Sequence, residues 1–183
     1  LKSMGIPSVF DLQKMLKRKK NLEELSKVEC FSIDYLKVLL REINSMHPKP
    51  NKLNEFRDIS PETILKLEQI GIKTTVHLFD KVKTKADRQA LALQTGIDER
   101  EILELAKLTD LSRIKWVGVL FARMLYHIGV DTVEKASKCK PTKLHEEINR
   151  ISQEKNFYNA KIGLNDIKIF IEAAKDVTLE IDD

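Results

Sequence analysis

The sequence predicts an all-α protein assembled from tandem helical repeats, and three observations carry that expectation. The 183 residues are rich in Leu, Ile, Lys and Glu and hold only 6 Gly and 5 Pro. That mix favours helices and leaves too few turn residues, and too little β-branched alternation, for a sheet protein of this length. A glycine-centred segment then occurs three times, at Leu1–Ser8, Leu67–Thr74 and Leu125–Thr132. Finally, the residues flanking these segments repeat at matching offsets.

Each segment reads apolar, two variable positions, apolar, Gly, apolar, one variable position, then Ser or Thr. Such a run is a helix ending on a glycine that can take positive φ, an apolar residue tucked inward, and a hydroxyl that caps the next helix. At the last corner Asp131 and Glu134 flank Thr132 at the spacing of a capping box. Leu25…Phe31-Ser32…Leu36…Leu39 matches Leu91…Ile97-Asp98…Ile102…Leu105, with Ser32 and Asp98 as caps. Leu53…Phe56…Ile59…Leu67…Ile70 likewise matches Leu111…Ile114…Val117…Leu125…Ile128. In both, a short helix meets a tight turn (Asp58-Ile59-Ser60, or Lys115 to Gly118), and a second helix runs to the glycine corner. The repeats are therefore helix–hairpin–helix-like.

Taken in order, the elements are helices near 8–18, 22–28, 33–45, 61–70, 75–82, 85–95, 99–108, 119–128, 132–137, 142–154 and 165–175. Ser60-Pro61-Glu62 marks a start by itself: a cap, a proline at the first helical position, then an acid in the first turn. The two prolines near residue 49 exclude helix there. The expected organisation is a partial N-terminal repeat over 1–46, a linker over 47–52, and a tandem domain over 53–183. Because the first repeat begins partway through its second helix, the natural chain is expected to continue upstream.

Charge is unevenly spread. Residues 1–56 hold 11 Lys and Arg against 7 Asp and Glu, whereas the two signs balance over 57–183. The excess centres on Lys17-Arg18-Lys19-Lys20, which reads as a solvated helix end complementing the C-terminal dipole and a source of long-range attraction for a polyanion. Cys30 and Cys139 are too far apart in sequence to form a framework, which fits a reducing cytoplasm. No apolar run approaches the roughly 18 residues of a membrane span.

The best functional candidate is the turn Ile114-Lys115-Trp116-Val117-Gly118-Val119. Amides at such a turn and at the start of the next helix can receive a phosphate oxygen, which positions a nucleic acid without reading its bases. Arg113, Lys115 and Arg123 surround it, and residues 111–130 contain no acid. Trp116 offers a stacking surface; its alternative role is to plug the gap between repeats. The Gly71 corner with Lys73 ranks second. Asp58 and Asp131 place carboxylates where a phosphate would sit, so their turns read as structural.

Catalytic patterns are missing. His47, His77, His127 and His145 do not recur at metal-ligand spacing and no cysteine lies near them in sequence, so neither a metal nor a cofactor is expected. No glycine-rich nucleotide loop is present either.

Together, Gly71-Ile72-Lys73-Thr74, Arg88-Gln89-Ala90-Leu91-Ala92, Thr95-Gly96-Ile97-Asp98, Thr109-Asp110-Leu111-Ser112-Arg113-Ile114 and Gly129-Val130-Asp131-Thr132-Val133 resemble the bacterial and archaeal family called domain of unknown function 4332. Leu144-His145 and Ala174-Lys175 extend the likeness, which covers residues 53–175. It implies a SAM-like or helix–hairpin–helix-like helical array and no established activity. Hairpins that bind DNA usually carry two glycines around an apolar residue; here Trp116 takes the first position. The expected function is a non-enzymatic module binding nucleic acid without sequence preference. The alternatives are a protein–protein scaffold or an accessory domain of a larger enzyme, with no membrane and no small-molecule substrate.

Overall fold

The computed structural model describes residues 6, 9–28, 31–46, 50–56, 58–158 and 161–182. The first glycine corner apart from Ile6, Cys30, and residues 47–49 of the expected linker lie outside the described residues. Among those described, the chain is α-helical with no strand, in the order α1 (Val9–Leu16), α2 (Lys19–Val28), α3 (Ile33–Met46), a 3-10 turn (Leu53–Glu55), α4 (Pro61–Gln69), α5 (Thr75–Phe79), α6 (Lys85–Thr95), α7 (Glu99–Leu111), α8 (Val119–His127), α9 (Val133–Ser137), α10 (Pro141–Lys155) and α11 (Leu164–Lys175). The chain divides into two compact units, Leu1–Lys49 and Pro50–Asp183.

In the first unit, α1, α2 and α3 pack on one another around Leu12, Leu16, Leu25, Leu36 and Ile43. Ser32 Oγ accepts the Tyr35 amide at 3.1 Å and so caps α3. The block Lys17 to Lys20 is exposed and straddles the break between α1 and α2. Only Lys17 and Arg18 sit at a helix C-terminal end. Lys19 and Lys20 open α2, where the dipole disfavours cations.

The second unit is built twice over. Helices α4 and α5 start 58 residues before α8 and α9. The glycine corners close with the same bonds: Ile72 N donates to Leu67 O at 2.9 Å, and Val130 N to Leu125 O at 3.0 Å. Gly71 and Gly129 sit between them at φ 83 and 79, a conformation that costs glycine nothing. In each half the short helix packs on the last one, α5 on α7 and α9 on α11, while α6 meets α7 and α10 meets α11. One apolar core runs through both halves, from Leu53 and Phe56 to Phe170 and Ala174.

Caps form where the polar residues stand. Ser60, Thr74, Asp98 and Thr132 each accept an amide from the first turn of the helix they open. The reciprocal capping box, however, closes at Thr84 and Asp87, not at Thr132, because the third residue of α9 is Lys135. The C-terminal segment after α11 returns to the first half. Asp182 N donates to Lys83 O at 2.9 Å, and the buried Arg88 pairs with the Asp182 carboxylate at 2.9 Å.

Candidate functional site

Two apolar residues pin the turn before α8 into the core: Ile114 is fully buried and Val117 nearly so. Val117 N donates back to Ile114 O at 3.2 Å, which closes the turn tightly. Trp116, caught between them, adopts a left-handed backbone at φ 67 and leaves its side chain 63% exposed. A left-handed conformation costs an L-residue about 1–2 kcal/mol, and a mostly exposed ring recovers little of that by burial. The Lys115 ammonium lies 5.7 Å from the indole centroid. Gly118 then enters α8 in extended conformation without a side chain to cap it, so the helix's first amides have no side-chain acceptor at the N-cap.

Asn51 sews this turn to the Gly71 corner. Its Nδ2 donates to Ser112 Oγ at 2.9 Å and to Val117 O at 3.4 Å. Its backbone pairs with Thr75, whose N donates to Asn51 O at 2.9 Å. Leu53 N reaches Lys73 O at 3.0 Å, and Lys52 forms an isolated antiparallel bridge with Thr74. Lys52 and Lys73 are exposed and Lys115 half-buried. Among the described residues none of these three lysines has a carboxylate partner.

Four of the residues expected to hold phosphate are otherwise engaged. Arg113 pairs with Asp110 at 2.8 Å and Glu180 at 3.3 Å, donates to Thr178 O at 2.6 Å, and lies over the Phe79 ring. Arg123 is buried on α8, paired with Glu104, with Asp58 Oδ2 at 3.4 Å from its Nε. Its Nε and Nη2 are closed off from solvent, so a phosphate cannot reach them. The Val117 amide is spent inside the turn, as is that of Gly71, which donates to Glu68 O at 3.0 Å. Lys73 keeps its ammonium, although its amide donates to His77 Nδ1 at 3.3 Å. Lys115, Trp116, Gly118 and Val119 remain at the open turn.

Asp58 and Asp131 both have basic partners. Asp58 faces Arg123 and, at 3.7 Å, His127, in a polar cavity of about 340 Å³ also lined by Phe56, Lys155 and Phe157. Burial, helped by Lys155 and Arg123, lowers the His127 pKa below its ordinary value. Burial works against ionisation of Asp131, yet hydrogen bonds from Lys107 and Lys135 outweigh it and hold the carboxyl below the usual range. His145 bonds the Ile162 carbonyl at 3.0 Å. No group of three or more His, Cys, Asp or Glu among the described residues could hold a metal ion. No helix there is long and apolar enough to cross a membrane.

One feature was not legible in the sequence. Beside Trp116 lies an apolar cleft of about 500 Å³, lined by Phe121 of α8, Tyr158 and Ile162 of the connection to α11, and Ile169 and Phe170 of α11, with Lys115 and Asp166 as its charged residues. Phe121 and Phe170 meet edge to face at 5.1 Å. Asp166 is turned to its own helix start, where Oδ2 accepts the Gly163 amide at 3.2 Å. Phe121 and Phe170 stand far apart in the chain, and only the packing of α8 near α11 brings them together. Lys52 was missed for a similar reason, since it belongs to a stretch that reads as linker.

Fold and site thus define an all-α domain with a repeated corner-and-turn unit and one open, aromatic turn. The family model described as Domain of unknown function (DUF4332) matches residues 57–177, and the chain belongs to that family. Nothing among the curated proteins or the solved structures matches it.

Proposed function

We propose that the second unit is a non-catalytic nucleic-acid-binding module of tandem helix–hairpin–helix-like units, working in the cytoplasm through the turn Lys115–Val119. The observation that carries this reading is Trp116, mostly exposed and held at positive φ beside a lysine without a carboxylate partner. Strain kept at an exposed position is the mark of a residue retained for contact, because folding alone gains nothing from it. Lys52, Lys73 and Lys115, on segments that Asn51 and its neighbours tie together, supply the sequence-independent attraction for phosphates. The uncapped amides at Gly118 and Val119 supply donors for one phosphate oxygen. Arg113 and Arg123 hold the scaffold that presents them.

Fluorescence anisotropy of labelled 20-nucleotide DNA, single-stranded and duplex, across a salt series tests the reading. The expected result is a Kd of about 10⁻⁶–10⁻⁴ M that weakens steeply with salt. Lys115→Glu should lower the affinity and shallow the salt slope by about one contact's worth. Absence of binding to either DNA at low salt would sink the proposal.

A further inference from the structure

We infer that the aromatic cleft beside Trp116 takes one unpaired nucleobase, so that the module grips single-stranded or extrahelical nucleotides in preference to intact duplex. This rests on the nucleic-acid reading of the turn and names its substrate class. Three features of the cleft argue for it. Trp116, Phe121, Tyr158 and Phe170 line it, with Ile162, Ile167 and Ile169 between them, so the walls suit a flat π ring. Every base offers a π face, which makes such a platform tolerant of sequence.

The volume of about 500 Å³ lies at the small-ligand end of the range for binding pockets. It suits a nucleotide, whereas a docking helix needs a long open groove. Charge completes the case. Lys115 is the one cation lining the cleft, and the one acid, Asp166, spends an oxygen on the Gly163 amide. A base seated against the aromatics would leave its phosphate within reach of Lys115 and the uncapped start of α8. A paired base cannot enter, since its faces are covered by its neighbours in the stack.

The chain contains a single tryptophan, so its emission reports on this cleft alone. The test titrates the full chain with a dT12 oligonucleotide and with a duplex hairpin of equal phosphate count, following Trp116 emission and the anisotropy of the labelled DNA. A third arm repeats both titrations with Ile169→Glu, a change at a half-exposed position in the cleft wall, on α11 and so outside the turn itself. The expected result is quenching by dT12, an affinity for it at least about tenfold above that for the duplex, and loss of that preference in the variant. Equal affinities with no quenching, unchanged in Ile169→Glu, would overturn the cleft assignment and leave the phosphate-binding turn standing. No binding to either DNA overturns both. Concentration-dependent self-association abolished by Ile169→Glu, with no binding of dT12, overturns the base site and gives the cleft to a second copy of the chain.

Discussion

The two turns that open α4 and α8 occupy equivalent places in the repeat, yet one is closed and the other open. Ile59 N donates to Phe56 O at 3.1 Å just as Val117 N donates to Ile114 O at 3.2 Å, and the four apolar residues concerned are buried. At the closed turn Ser60 caps α4 through the Thr63 amide at 3.0 Å, and Asp58 faces Arg123 and His127. At the open turn the matching residues are Gly118, which caps nothing, and Trp116, which points largely into solvent. The closing bond is the same, but the backbone is not, since Trp116 takes a positive φ and Asp58 does not; the side chains then decide whether the helix start is satisfied internally. Under the proposed function, one copy serves packing and the other contact.

The largest expected effect breaks the link between the turns. Arg123→Met leaves the half-buried Glu104 without its partner, so stability should fall by about 2 kcal/mol in urea unfolding, the usual size for losing a hydrogen bond to a charged group. DNA affinity of the folded fraction should stay unchanged; a selective loss of affinity would mean that Arg123 reaches the ligand. Next in size, Ser60→Ala removes the α4 cap and should cost about 1 kcal/mol by the same assay. The converse change, Gly118→Ser, gives the open turn a cap. No atom lies within 4 Å of the position a Cβ would take there, so the side chain fits. It should stabilise by a few tenths, about 0.3 kcal/mol, while weakening DNA binding because the hydroxyl takes an amide.

The smallest effect is a pH dependence at the closed turn. With its folded pKa below the ordinary 6.5, His127 favours folding fully only above that value. Its contribution is lost as pH falls from 6.5 toward the folded pKa, because the unfolded chain takes up the proton first. Thermal melts between pH 7 and pH 5 should show this decline, and His127→Gln should flatten it.

Local chemistry was readable from the sequence and side-chain direction was not. The starts of α4, α5, α7 and α9 follow from Ser60-Pro61, the glycine corners and the caps, all of which act within a few residues. Arg113 and Arg123 stand in an acid-free stretch and so read as free cations. Their partners lie outside that stretch: Asp110 just before it, Glu180 from the C-terminal segment, Glu104 from α7 and Asp58 from the closed turn. The cleft depends on the packing of α8 near α11, a long-range outcome that no local pattern encodes. Trp116 was visible as a departure from the two-glycine hairpin, and its positive φ turns that departure into the chief functional clue.

Trp116→Gly tests the central claim most directly, with stability and single-strand affinity measured on the same preparation. Glycine relieves the left-handed backbone, so stability should rise by about 1 kcal/mol while dT12 affinity falls at least about tenfold. A variant that loses stability and binds dT12 as tightly as before would contradict the account, because Trp116 would then be a packing residue and the open turn would have no ligand to explain it.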